Sequence, residues 1–304
     1  MRIAHVLQLE TSRPVVALER DGALYDVAEL DRCFGTRFAE IPGASDFHTR
    51  VIGLGRAGFA TLDERLRSGD RPAAARLHAD AFIWLPPCVT SRAAYIQLGS
   101  YATAPGADRP SYRFGNSRGL IGHAASVPFP AAEDEPDYEL NLGAVLGEDL
   151  RRASPSEVER AIAGYTILND WTARRSEAAA AARGFPMSEG KDFATQLGPV
   201  LVTPDELGSI EELRTRVRVG AEARPTARVG AWAFSLAESI SFVSDQVELR
   251  AGDVIGAGCV PGGSAASVGK HLDYGATVEL VIERIGKLIG RPVRGAQQIA
   301  WRWP

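Results

Sequence analysis

The chain has 304 residues, 45% hydrophobic and 24% charged, an ordinary globular composition with room for one large core and a smaller module. Its 34 Lys and Arg against 38 Asp and Glu give a net charge of −4 without a basic run, which argues against nucleic-acid or anionic-membrane partners. No apolar stretch is long enough to cross a bilayer, the first residues lack the apolar block of a signal peptide, and Cys33, Cys88 and Cys259 form neither a disulfide framework nor a zinc pattern; a cytoplasmic setting is expected.

Residues 1–84 read as a small N-terminal α+β domain. Stretches at Arg2–Leu9, Val15–Glu19 and Ala23–Asp26 have strand character between glycine and polar turns. Gly53-Leu54-Gly55-Arg56-Ala57-Gly58 matches the dinucleotide fingerprint, which should close a full strand in a βαβ unit. Only Thr49–Ile52 precedes it, and the next candidate strand, Phe82–Leu85, runs into Pro86-Pro87, so a helix-entry loop is the stronger reading. Leu62, Leu66 and Ala73–Leu77 mark a helical patch, and the proline pair separates this module from residues 85–304.

In the second part, Asp137-Tyr138-Glu139-Leu140-Asn141 alternates as a strand, with Asp137, Glu139 and Asn141 on one face and Tyr138, Leu140, Leu142 and Leu146 toward a core. Carboxylate and amide oxygens two residues apart suit a hard cation such as Mg²⁺, Mn²⁺ or Ca²⁺, although any half-exposed strand shows the same alternation. Ser154-Pro155-Ser156-Glu157 announces a capped helix that Gly164 would end, followed by a strand over Tyr165–Asp170. Asp170 would cap a helix beginning at Trp171, or serve as a third oxygen ligand. Gly190-Lys191-Asp192-Phe193 offers a lysine for an anionic substrate oxygen, and Thr203-Pro204-Asp205-Glu206 announces a second short helix. After the strand Asp253–Ile255, Gly256–Gly263 forms a glycine-rich turn, in which Cys259 could act as a nucleophile only beside a base. The five histidines form no ligand pair, and no G-x-S-x-G elbow occurs. The pattern is that of a β-dominated α+β protein without the regular alternation of a doubly wound sheet.

Taken in order, these fragments resemble the fumarylacetoacetate hydrolase family. Asp137–Asn141 is similar to its D-x-E-x-E strand, Asn169–Arg174 to N-D-W-S-A-R, and Gly190–Phe193 with Leu197-Gly198-Pro199 and Thr203–Leu207 to G-K-D-F…L-G-P…T-P-D-E-L. Gly252–Ile255 resembles the strand before the family's G-T turn, here Gly258-Cys259. The resemblance implies a mixed β-sheet and β-roll domain behind a small N-terminal domain, commonly in a homodimer. It implies a divalent ion, Mg²⁺ or else Mn²⁺ or Ca²⁺, on Glu139, Asn141 and Asp170, with Lys191 polarising the substrate. The remaining candidates carried over are Glu177, Cys259 and Tyr101 for catalysis, and Gly258 and Arg174 for substrate binding. The implied reaction is hydrolysis, decarboxylation or isomerisation of a 2-oxo acid or 1,3-diketone through an enolate. Three departures stand against this: Asn141 replaces a glutamate, no histidine lies in Ser100–Ala104 where the family activates water, and Pro261–Ala265 holds no orienting glutamate. The alternative is a repurposed scaffold, either a metal-independent lyase or cyclase or a small-molecule binder.

Overall fold

The computed structural model describes residues 1–36, 55–88, 91–101, 107–185 and 187–296, with only the backbone at 55–58. The Thr49–Ile52 strand, the Gly53-Leu54 start of the fingerprint and Ala102–Ala104 lie outside these residues.

The first strands are β1 (Arg2–Gln8), β2 (Arg13–Arg20) and β3 (Ala23–Asp26), followed by helices α1 (Val27–Phe34) and α2 (Gly55–Arg67). The patch at 73–77 is a 3₁₀ turn, Ala73–Ala75, leading into a short strand β4 (Arg76–Leu77), rather than a continuous helix. Next come β5 (Phe82–Trp84), β6 (Tyr95–Leu98), β7 (Tyr112–Gly115), β8 (Leu120–Ile121) and β9 (Ala125–Phe129). The stretch at 137–146 is two strands, β10 (Pro136–Asp137) and β11 (Leu140–Leu146), broken at Tyr138-Glu139. Helix α3 (Pro155–Ala161) starts on the expected Ser154 capping box. It stops before Gly164, which lies inside β12 (Ile162–Asp170). Gly164 is there for packing: a Cβ would lie 2.6 Å from Leu201 Cγ on the neighbouring strand.

Asp170 caps no helix. It ends β12, and Thr172–Ala173 continues as β13, paired with β10, before α4 (Arg174–Ala182) begins. The chain goes on through α5 (Ser188–Lys191), β14 (Thr195–Val202), α6 (Pro204–Leu207), β15 (Thr215–Val219), β16 (Glu222–Arg224) and α7 (Leu236–Gln246). It closes with β17 (Val254–Gly256), β18 (Val278–Ile282) and β19 (Gly286–Arg294).

Among the described residues, the main sheet runs β4-β3-β2-β1-β14-β12-β11-β17-β6-β7, with β5 beside β1 and β8 beside β14. A second sheet runs β16-β15-β18-β19-β9. One face of the main sheet, with Leu140, Leu142, Ile167 and Val200, packs on Val217 and Leu280 of the second sheet and on Val158 and Ile240 of α3 and α7. The other face, with Val145, Leu168 and Leu201, is covered by Leu30 of α1 and by Leu62 and Leu66 of α2. A sheet covered on both faces explains why every residue of β11 and β12 is buried. Asp137 and Asn141 are therefore not a polar face in water, as alternation alone allowed; they are 2% and 0% exposed. The fold is β-dominated, with mixed sheets and a few short helices.

Candidate active site

Strand pairing brings the two distant carboxylates together. β11 and β12 are antiparallel with Leu140 opposite Asn169, which makes Glu139 and Asp170 the next cross-strand pair, on one face. The backbone locks this pair: Asp170 N donates to Glu139 O at 3.1 Å, and Glu139 N donates to Asn169 Oδ1 at 2.9 Å. On its far side β12 pairs with β14, placing Thr195 opposite Asp170.

Lys191 enters between the two carboxylates from the end of α5. Its Nζ lies 2.8 Å from Glu139 Oε2, 3.5 Å from Asp170 Oδ2 and 4.0 Å from Glu177 Oε1, and donates to Thr172 Oγ1 at 2.7 Å. The preceding Gly190 makes this approach possible, since a Cβ there would stand 2.5 Å from Glu177 Cβ and 2.7 Å from its Cα. Two arginines complete the cluster. Arg174, at the start of α4, donates to Asp137 Oδ2 at 2.9 Å, Glu139 Oε1 at 2.7 Å and Glu177 Oε2 at 2.9 Å. Arg113, on β7, donates to Asp170 Oδ2 at 2.9 Å and to Asp192 Oδ1 at 3.3 Å.

Burial and charge oppose each other at each of these groups. For Lys191 burial disfavours the ammonium, but Asp170, Glu139 and Glu177 outweigh it and raise the pKa above the usual lysine value. Burial would raise the Glu139 carboxyl, yet Lys191 and Arg174 hold it below the ordinary range. At Asp170 burial wins over Lys191 and Arg113, so its pKa is raised. The arrangement can hold developing negative charge on a fixed ammonium in a poorly hydrated place, while a carboxylate stands close enough to move a proton.

The other candidates fall in two groups. Glu177 and Arg174 belong to the cluster. Asn141 lies beneath it with its amide committed: Nδ2 donates to Glu139 O at 2.9 Å, and Oδ1 accepts from Gln97 Nε2 at 2.7 Å. Tyr95 hydroxyl in turn donates to Gln97 Oε1 at 2.6 Å. Tyr101 turns its hydroxyl to Val229 O at 2.7 Å and packs on Gly258, whose φ of +107° and closeness to Leu98 O (2.9 Å from a Cβ) demand glycine. Cys259 keeps its proton, because burial first and then Glu139 push its pKa well above the usual thiol value; its Sγ points at Val260 O, 3.5 Å away. His123 is held elsewhere. Its Nδ1 accepts from Ile289 N at 3.2 Å, its ring lies edge-on to Trp84, and it lines a cavity of about 650 Å³ that touches no member of the cluster.

Sequence reasoning passed over Arg113, Gln97 and Thr172 as site residues. For Arg113 and Gln97 no local motif marks them; only the register placing Gln97 opposite Arg113, and Gly256 beside Gln97, carries them inward. Asp137 was noticed as part of the strand, but its role is structural: its carboxylate accepts from Tyr138 N, Ala265 N and Arg174.

Comparison with known proteins bears on the family and the fold. 2,4-Didehydro-3-deoxy-L-rhamnonate hydrolase of Sphingomonas sp. (strain SKA58) is 33% identical over 171 residues, 55% of this chain and 59% of that one. Oxaloacetate tautomerase YisK of Bacillus subtilis (strain 168) is 30% identical over 195 residues, 64% of each chain. The chain thus spans less than two thirds of either relative's length. Among solved structures, maleylpyruvate hydrolase from Sphingobium sp. SYK-6, in complex with manganese(II) ion and pyruvate, shares the fold with a TM-score of 0.74 at 18% identity, over 97% of this chain and 100% of that one. The relatives are hydrolases and tautomerases. A profile described as fumarylacetoacetate (FAA) hydrolase C-terminal matches residues 89–293, about two thirds of the sequence, and the chain belongs to the fumarylacetoacetate hydrolase family.

Proposed function

We propose that the protein interconverts keto and enol forms of a small 2-oxo acid or 1,3-diketone, as a tautomerase or isomerase, at the Lys191 cluster. The supporting observation is the buried Lys191 ammonium, 4% exposed and held between Glu139 and Asp170. Glu177 acts as the base: its Oε2 is anchored on Arg174, while its Oε1 stands 4.0 Å from Lys191 Nζ. Glu177 takes the proton from the carbon beside the oxo group; the electrons of the broken C–H bond form a C=C bond while the carbonyl π pair moves onto oxygen, giving an enolate whose charge Lys191 neutralises. Return of the proton to that oxygen yields the enol; where the enolate is conjugated to a further C=C bond, return to the far carbon yields an isomer. The reaction so written calls on no divalent ion, so the Mg²⁺, Mn²⁺ or Ca²⁺ expected from the resemblance is not part of this reading.

Proton transfer is favoured over C–C hydrolysis by a specific arrangement. Hydrolysis needs a base for water as well; Ser100–Ala104 holds no histidine, His123 lies away from the cluster with its Nδ1 on Ile289 N, and Glu177 is engaged with the carbon proton. Oxaloacetate, the substrate in the name of one relative, is a suitable first probe. Its methylene protons should exchange in D₂O, read by ¹H NMR, with Lys191→Met and Glu177→Gln each slowing enzymatic exchange by about 100-fold or more. Wild-type rates in both variants, or cleavage of the carbon skeleton outpacing exchange in the native protein, would overturn the reading.

A further inference from the structure

The relative crystallised with manganese and the resemblance of Glu139, Asn141 and Asp170 to a metal triad raise the question of whether these residues fit a dication. They do not. Glu139 has Oε1 on Arg174 and Oε2 on Lys191, and Asp170 Oδ2 is held by Arg113 with Lys191 at 3.5 Å. Asn141 brings no charge, and its oxygen already accepts from Gln97. A hard dication prefers anionic oxygens that are free to converge on it. Here an incoming dication would have to displace three cations already paired with these carboxylates, of which Arg174 is also held by Asp137 and Glu177, and Arg113 by Asp192.

We propose that Arg113 stands in for a divalent cation, so that the site is built to work without a bound metal. Two members of the triad, Asn141 and Asp170, are engaged by one cross-strand pair. Gln97 and Arg113 sit opposite each other on β6 and β7; the first occupies the oxygen of Asn141 and the second neutralises Asp170. The neighbouring strand is cut back to admit them, since a Cβ on Gly256 would lie 2.2 Å from Gln97 Oε1. Arg113 has a further fixed contact, Asp192, and its guanidinium carbon lies 5.9 Å from the Tyr95 ring centroid, so the charge is held in place as a bound ion would be.

This inference rests on the same cluster as the proposed function, but its test reads the resting protein, so the two fail separately. Mn²⁺ is titrated into EDTA-treated full-length protein and the six-line EPR signal of the free ion is followed. The wild-type protein should leave that signal undiminished up to about 1 mM Mn²⁺, whereas the double variant Arg113→Met, Asn141→Glu should take up one ion per chain at least about 100-fold more tightly. Wild-type uptake of one ion per chain that is abolished in Asp170→Asn overturns the proposal. Uptake that survives Asp170→Asn lies at another place and leaves it standing. A folded double variant that gains no affinity removes Arg113 from the role assigned to it, and the wild-type titration decides alone if that variant does not fold.

Discussion

A buried ammonium is stable only with partners, and Lys191 has two carboxylates and a hydroxyl within hydrogen-bond reach or close to it. The same reasoning in reverse applies to His123. Burial, with a smaller contribution from Lys287, lowers its pKa from the usual 6.5 to about 4, and its Nδ1 must stay unprotonated to accept the Ile289 amide. Between pH 6.5 and 4 the unfolded chain binds a proton here that the folded chain refuses. Stability from this group is therefore complete above pH 6.5, declines as pH falls toward 4, and levels off below. With the ring partly exposed to water, the loss should be about 2 kcal/mol. Urea unfolding at pH 7 and pH 4.5 should show that difference in the wild-type protein and a smaller one in His123→Gln; equal slopes would assign the pH dependence to other groups.

The elements that carry the chemistry are short and borrow their stability from neighbours. Helix α4 has Ala173 at its N-cap and no capping side chain of its own. Glu133, 1% exposed and far back in sequence, takes over: Oε1 accepts from Arg175 N at 3.3 Å, and Oε2 accepts from Ser176 N at 3.1 Å and Ser176 Oγ at 3.0 Å. Glu133→Ala should cost about 1–2 kcal/mol in thermal or urea unfolding, since it leaves two part-buried amides without their acceptor and loses the helix-end charge. A loss no larger than that of an exposed alanine substitution would refute this cap. Helix α5 tests the packing argument. Gly190→Ala pushes a methyl into the Glu177 backbone, and Lys191 must move with it. Proton exchange should fall by about 100-fold, since a shift of roughly 1 Å at a reacting group has that effect. A normal rate would show that α5 yields without moving its lysine.

At the scale of the molecule, what was legible in the sequence followed how local its cause was. The capping box at Ser154 depends on residues three apart and appears at its expected place, whereas the alternation around Glu139 does not become a polar face, because the sheet is covered on both sides. Gly164 was misread as a helix terminator because its reason for being glycine is Leu201 on another strand. Of the two readings of Asp170, the helix cap fails because the helix it seemed to open is delayed by the β10–β13 pair and capped from residue 133. The likeness to a known family placed Glu139, Asp170 and Lys191 in one site without saying that Arg113 would sit beside them. The two-part division at residue 84 is a change of sequence pattern, but hydrogen bonds cross it: β1 pairs with β14 in register, Arg2 opposite Val202 and Ala4 opposite Val200. Calorimetry should therefore show one cooperative transition, and two resolved peaks would make the N-terminal part an independent folding unit.

That seam between β1 and β14 also limits how this scaffold can be recombined. β14 reaches Asp170 through Thr195 at one end and receives the N-terminal strand at the other. A relative's leading segment grafted onto this chain would have to reproduce the ladder to β14, because a slip of one residue would turn that strand's inward side chains outward and strain the strand that borders the carboxylate pair. Chimaeras joined at the proline pair should thus inherit their catalytic competence from how well two edges mate, and not from the donor's own active-site residues.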